Sequence, residues 1–110
     1  MVKVAHFDVV VRDAQRAIAF YEKAFEWRIS KWDGPMEYWL IDPGDPSTPG
    51  IGGGISVGEP NFTGGPLTID VPSLEEVISR VEAAGGKQTR ETDAVPGVGW
   101  LAEVEDTEGN

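Results

Sequence analysis

The clearest pattern of apolar and polar residues lies in residues 6–27, HFDVVVRDAQRAIAFYEKAFEW. Residues 6–11 alternate, as in a β-strand whose successive side chains point to opposite faces. One face is wholly apolar and consists of Phe7, Val9 and Val11. The other carries His6, the only histidine of the chain, and Asp8. We therefore expect the apolar face to be covered and the face of His6 to stay open.

A helix is predicted directly after this strand. Asp13 occupies the N-cap position, where its carboxylate can accept a backbone N–H of the first turn. An apolar stripe at helical spacing follows; it consists of Ala14, Ala17, Ile18, Tyr21, Ala24 and Phe25. The stripe predicts a helix that packs on the apolar face of the strand.

The second half of the chain repeats this unit. Val71-Pro72-Ser73 repeats the step from strand to helix made by Val11-Arg12-Asp13. Residues 66–71 alternate in the same way and predict a strand with Leu67, Ile69 and Val71 in the core and Thr68 and Asp70 on the open side. Ser73 and Glu76 form a predicted capping box. The helical stripe that follows consists of Leu74, Val77, Ile78, Val81 and Ala84. Such self-similarity indicates a repeated supersecondary unit.

Further strands are predicted at residues 36–41, 55–57, 86–90 and 100–104. Residues 42–54 are rich in proline and glycine and are expected to be irregular, either as a rim over a site or as a surface insertion. The prediction is an α+β fold of two tandem β-α-β-β-β modules in a single domain, residues 1–110. Module 1 spans about residues 1–58, a linker 59–65 and module 2 about 66–110.

The closing strand of the second module would follow Asn110. It is absent, lies outside this sequence, or is supplied by a partner chain. An edge without its closing strand is a template for pairing with another chain, and two-fold pairing is the commonest arrangement of identical chains. We therefore expect a homodimer with the surface near residues 103–110 at the contact, the alternative being a monomer.

Composition narrows the function classes. The chain has 110 residues and no cysteine, which excludes disulfides, thiolate metal sites and cysteine nucleophiles. A formal net charge of −10 disfavours binding to nucleic acid. The sequence holds no apolar run of membrane-spanning length and no signal peptide, so we expect a cytoplasmic protein without a membrane partner.

Three segments resemble the vicinal oxygen chelate superfamily, which includes glyoxalase I, bleomycin-resistance proteins and extradiol dioxygenases. They are the stretch at residues 6–27, VPSLEEVISRVEAAGGK, and PGVGWLAEVEDTEGN with its D-x-E-G-N ending. The resemblance covers essentially the whole chain and is closest to small glyoxalase-like proteins. It implies two βαβββ modules whose curved mixed sheet forms a cup, with the helices outside and a small molecule bound in the cup.

The resemblance also implies a divalent metal (Zn, Ni, Mn or Fe) bound by one residue from each of four strands. His6 matches the first ligand. Pro66 stands at the ligand position of the second unit and has no group that coordinates a metal. Residues 54–57, GISV, stand where a glutamate or glutamine is expected, and the last ligand would follow Asn110. One ligand of four is therefore present.

Three hypotheses follow. The first is a protein that binds a small molecule in the cup, with an unknown reaction. The second is a metal-dependent lyase or dioxygenase with His6 as one ligand. The third is a metal-free accessory or interaction module. The candidate ligand-binding residues are Asp8, Trp39, Thr68 and Asp70. The alternative role of Trp39 is packing. The alternative for the two aspartates is that they only form part of a solvated polar face.

We predict that no divalent ion is held tightly in a complete four-strand site, because three of its four ligands have no match. Elemental analysis of protein purified without chelator measures this. Stoichiometric Zn, Ni or Mn that disappears in His6→Ala would overturn the prediction.

Overall fold

The computed structural model describes residues 4–60, 67–97 and 99–110. These residues form two helices and six strands, which confirms the α+β class. In chain order the elements are β1 (His6–Val11), α1 (Ala14–Phe25), β2 (Ile29–Lys31), β3 (Tyr38–Ile41), β4 (Gly52–Val57), α2 (Leu74–Ala83), β5 (Lys87–Val95) and β6 (Gly99–Glu105). Neither helix is long and apolar enough to cross a membrane, within the described residues.

Both helices begin at the predicted caps. Asp13 Oδ1 accepts the backbone N–H of Arg16 at 3.1 Å, and Ser73 Oγ accepts that of Glu76 at 3.3 Å. The carboxylate of Glu76 pairs with Arg80 at 2.9 Å, one helical turn further on. The Ser73 half of the predicted capping box is thus formed in α2, whereas the carboxylate of Glu76 binds Arg80.

The first unit, β1 to β4 with α1, forms one mixed sheet in the order β1-β4-β3-β2. β1 runs parallel to β4, and β4 pairs antiparallel with β3. The face that includes Val9, Val11, Ile41 and Ile55 packs against α1 and forms the core. Val81 of α2 completes this core and is fully buried. The buried members are Val9, Val11, Ala14, Ala17, Phe20, Tyr21, Ala24, Ile41, Ile55 and Val81.

The loop after β3 is shorter than predicted, because β4 already begins at Gly52. A Cβ added to Gly52 would lie 2.8 Å from the carbonyl oxygen of Ile41, and one added to Gly53 would lie 2.6 Å from that of Phe7. These glycines allow neighbouring backbones to approach closely inside a sheet. The irregular segment, which was expected to take up most of residues 42–54, is therefore 42–51.

The predicted strand at residues 66–71 is not formed over 67–71, the part that the structure describes. Leu67 and Ile69 are exposed by 43% and 38%, and Val71 is half-buried, so the predicted burial of Ile69 was wrong. The topology explains this, since β1 pairs only with β4 in the first unit. Among the described residues, the second unit has no strand in the place that β4 takes beside β1. Within the described residues, 67–71 therefore has no strand to pair with.

The second unit otherwise consists of α2 and the antiparallel pair β5–β6. Both strands are longer than predicted, with nine and seven residues. Their register shifts at two irregularities, between Gln88 and Arg90 and between Arg90 and Asp93. The four-stranded sheet and this pair are separate sheets, and α2 contacts both α1 and the pair.

Residues 106–110 fold back on the first unit and are called the C-terminal clasp below. Glu108 is fully buried at its side chain, and its Oε1 accepts the backbone N–H groups of Arg12 and Asp13, both at 3.0 Å. Its Oε2 accepts Nε of Arg16 at 2.6 Å. This hydrogen bond to Arg16 is the main cause that lowers the pKa of Glu108 from 4.5 to about 2.

Asp106 is the second buried carboxylate of the clasp. Its Oδ2 accepts the hydroxyl of Tyr21 at 2.7 Å, and burial together with this carboxylate raises the pKa of Tyr21. Its Oδ1 accepts the backbone N–H groups of Glu108 and Asn110 at 2.8 Å each. Asn110 Nδ2 donates to the carbonyl oxygen of Val10 at 3.1 Å. The clasp thus joins β6 to the junction between β1 and α1.

Replacing Glu108 by Gln should lower the free energy of unfolding by about 2 kcal/mol at pH 7, because buried donors lose a charged acceptor. The folded pKa lies below the ordinary value of 4.5, so the stabilisation is complete at neutral pH and is lost as the pH falls from 4.5 through about 2. Urea unfolding at pH 7 and pH 3 measures both effects.

The matched control is Glu37→Gln, which removes the same charge at an exposed position. It should leave the stability and its pH dependence nearly unchanged. Equal effects of the two substitutions would show that net charge, and not the clasp, sets the pH dependence.

Val81→Ala should cost about 2 kcal/mol, because Val81 is fully buried between the helices and the sheet. Ile78→Ala should cost less, although both were predicted to be core residues, because Ile78 is half-buried and lines a cavity of about 760 Å³ beside Trp100. Denaturant unfolding of the two variants tests this order. A cost below about half a kcal/mol for Val81→Ala would contradict its place in the core.

Candidate functional site on the open face

The face of the four-stranded sheet opposite α1 is called the open face below. It carries His6 and Asp8 of β1, Gly54 and Ser56 of β4, and Tyr38 and Leu40 of β3. Three of these side chains form one cluster. The hydroxyl of Tyr38 donates to Asp8 Oδ1 at 2.5 Å and lies 2.8 Å from His6 Nε2. His6 Nε2 and Asp8 Oδ1 are 3.5 Å apart.

Gly54 provides the space for this cluster. It lies between Asp8 on β1 and Leu40 on β3. A Cβ added to Gly54 would lie 1.7 Å from the hydroxyl oxygen of Tyr38 and 2.0 Å from its Cζ. Any larger residue must displace the phenol, since no real pair of atoms approaches so closely. The phenol of Tyr38 therefore takes the place of a side chain from β4.

Tyr38 is a stable hydrogen-bond donor at neutral pH. Burial, followed by the hydrogen bond to Asp8 and the charge of that carboxylate, raises the pKa of Tyr38 from 10.0 to about 12. The neutral phenol persists because its ionisation would place two negative charges side by side. The phenol of Tyr38 therefore keeps its hydroxyl hydrogen at neutral pH.

Trp32 forms an aromatic wall beside the cluster. It follows β2, and its ring meets the ring of Tyr38 edge-on at 6.0 Å between centroids. A Cβ on Gly34 would lie 2.1 Å from Cη2 of Trp32, so the indole rests directly on this glycine. With 37% of its surface exposed, Trp32 presents a flat apolar surface to solvent.

The structure separates the predicted ligand-binding residues. Asp8 belongs to the cluster on the open face. Trp39 lies on the opposite face, packed against the core, with Nζ of Lys31 5.6 Å from its ring centroid. Thr68 and Asp70 lie in the irregular segment before α2 and line a different cavity. The four residues thus occupy three places.

That second cavity has a volume of about 1000 Å³ and lies near the start of β1. Phe7, Trp27 and Ile41 border it, together with much of the loop at residues 42–51 and residues 67–70. The loop at residues 42–51 therefore contributes to the wall of this cavity.

Sequence reasoning missed Tyr38, Trp32 and Gly54 as site residues. Alternation had placed Tyr38 on one face of its strand, but only the register with β4 shows that this is the face of His6. The usable signal was the glycine in a strand position, which marks a close approach of another group.

The metal site implied by the resemblance does not fit these residues. His6 Nε2 is hydrogen-bonded to Tyr38. On β4, where the resemblance implies a glutamate or glutamine ligand, the space above Gly54 is filled by the phenol of Tyr38. Within residues 4–60, 67–97 and 99–110, no group of three or more His, Cys, Asp or Glu side chains is arranged to hold a metal ion. Pro66 lies outside the described residues.

Comparisons with known proteins agree with the fold. The model of the Glyoxalase/Bleomycin resistance protein/Dioxygenase superfamily matches residues 3–110. A search of curated proteins found no match.

Solved structures with a similar fold cover nearly the whole chain. A hypothetical protein SA1046 from S. aureus is 23% identical, with a TM-score of 0.74, over 99% of this chain and 92% of that one. A glyoxalase/bleomycin resistance protein/dioxygenase family enzyme from Burkholderia phytofirmans PsJN is 16% identical, with a TM-score of 0.77, over 99% and 94%. The fosfomycin resistance protein FosX from Mesorhizobium loti is 20% identical, with a TM-score of 0.66, over 99% and 86%. At these identities the likeness concerns the fold.

Gly54→Ala should destabilise the protein by about 1–3 kcal/mol, because the new methyl group forces Tyr38 out of its position. The same substitution in a Tyr38→Ala background should cost much less, since the clash is gone. A double-mutant cycle by urea unfolding measures the coupling. Equal costs in both backgrounds would show that Gly54 serves the backbone alone.

Proposed function

Because this chain belongs to the glyoxalase/bleomycin resistance protein/dioxygenase superfamily, we propose that it binds a small molecule on the open face, at the cluster of His6, Asp8 and Tyr38. The supporting observation is that a glycine in the middle of a sheet makes room for a polar cluster that remains accessible. The side chains of His6 and Asp8 are 45% and 58% exposed. Polar groups that can bind a ligand thus converge beside the exposed indole of Trp32.

The cluster is stronger support than the second cavity. The polar side chains of the cluster are bonded to one another at 2.5 and 2.8 Å, so they are held in place before a ligand arrives. Thr68 and Asp70 at the second cavity are both exposed and lie outside any strand or helix. A preorganised site loses less conformational entropy on binding.

A fragment screen by ¹⁵N NMR tests this proposal. Ligands should shift the signals of the Trp32 indole and of the amides of Leu40 and Ser56, and Tyr38→Ala should weaken binding at least tenfold. The indole of Trp39, on the core face, is the internal control. Shifts confined to Phe7, Arg28 and Asp70 would move the site to the second cavity, and a library without any hit on the open face would overturn the proposal.

The enzyme alternative is a metal-dependent lyase or dioxygenase with His6 as one ligand of Zn, Ni, Mn or Fe. The residues around His6 do not form the expected ligand set. We derive no reaction step from it. The accessory-module alternative predicts no small-molecule binding and is decided by the same screen.

A homodimer in the cytoplasm is the assembly and location that we propose. β6 pairs only with β5 among the described residues, so its outer edge has unpaired backbone groups. Trp100, Leu101 and Val104 on this strand are exposed by 72%, 39% and 37%. Because residues 106–110 are engaged in the C-terminal clasp, the contact that we propose shifts from residues 103–110 to β6.

Sedimentation at low micromolar concentration should show a species of about twice 11.9 kDa. Trp100→Lys should shift it towards the monomer, because a charge would be buried at the contact. The control is Met36→Lys, which places the same charge at another exposed apolar residue. A single species of 11.9 kDa for the unaltered protein would reject the dimer.

A further inference from the structure

The hydrogen atoms of the cluster can be assigned from its geometry. Tyr38 has one hydroxyl hydrogen, and it is donated to Asp8. A carboxylate has no hydrogen to return. The contact of 2.8 Å between His6 Nε2 and the hydroxyl oxygen therefore requires the hydrogen to be on Nε2. When the imidazole of His6 is neutral and carries a single N–H, its Nδ1 is therefore an acceptor.

The groups left for a ligand are acceptors. Nδ1 of His6 and Oδ2 of Asp8 have no hydrogen-bond partner among the described residues. Asp8 has His6 as its only ion-pair partner there, so no described lysine or arginine balances its charge. The net charge of −10 adds a long-range field that repels anions.

We infer that the open-face site receives small molecules that carry hydrogen-bond donors, such as an amine or amidine, attached to a flat apolar group. The donors bind His6 Nδ1 and Asp8 Oδ2, and the flat group lies against Trp32. Tyr38 acts as a positioning residue that fixes the tautomer of His6. This inference rests on the proposed function and adds the chemical class of the ligand.

The first test measures the tautomer without any ligand. The chain has one histidine, so its ¹⁵N NMR spectrum contains a single imidazole. Neutral His6 should have its proton on Nε2, and Tyr38→Phe should give a mixture of tautomers. Trp39→Phe, which alters the opposite face of the same strand, should leave the tautomer unchanged. A proton on Nδ1 in the unaltered protein would overturn the inference.

The second test compares two probes of the same shape and opposite charge, benzamidine and benzoate. Benzamidine should shift the signals of His6 and Trp32 at millimolar concentration, and benzoate should bind at least tenfold more weakly. Asp8→Asn should reduce the preference for benzamidine, whereas Asp33→Asn, at another exposed aspartate, should preserve it.

The outcomes separate this inference from the proposed function. Benzoate binding as tightly as benzamidine at the same residues would overturn the donor class and leave small-molecule binding intact. If neither probe binds but other fragments bind the open face, the ligand class alone is overturned. If no fragment of any charge binds this face, both the ligand class and the proposed function are overturned.

Discussion

The burial of two carboxylates in the C-terminal clasp holds the first unit together. A buried carboxylate is costly unless its oxygens are all engaged. Glu108 meets this condition with Arg16 and two backbone N–H groups, and Asp106 meets it with Tyr21 and the clasp's own backbone. These bonds fix the turn from β1 into α1, and with it the direction of the strand that carries His6 and Asp8.

The open face depends on a second constraint, which is space. β4 is the central partner of β1 and β3, and its glycines let side chains from both neighbours lie above it. Tyr38 reaches His6 and Asp8 across β4 only because Gly54 has no side chain. The residue at position 54 thus decides whether the space above β4 holds the phenol of Tyr38 or a side chain of β4 itself.

The sequence predicted the elements whose patterns are local. The alternation of residues 6–11 and the cap at Asp13 agree with the structure, because one strand and one helix determine them. The stripe agrees in part, since Ile18 is only half-buried and Phe20, which the stripe omitted, is buried. The repeat at residues 73–84 was also sufficient for α2. Burial in the first unit followed from the same periodicities, as Val9 and Tyr21 show.

The predictions that were wrong concern features that depend on pairing between distant segments. Residues 67–71 have the composition of a strand, yet a strand needs a partner, and no periodicity reveals whether one is present. The glycines of β4 were interpreted as loop residues because their role appears only when neighbouring strands are in place. For the same reason Trp39 was placed among the ligand-binding residues and Tyr38 was not, since the faces of β3 are indistinguishable before its register with β4 is known.

The clasp also has a consequence for the order of folding. Its contacts with the first unit join residues that are 85 to 100 positions apart in the chain. On a ribosome, which delivers the N-terminal part first, β1 and α1 emerge long before the carboxylates that hold their junction. Contacts of such long range slow folding, because the loop must close before they form. The strand that carries the site is thus synthesised well before the segment that fixes its position.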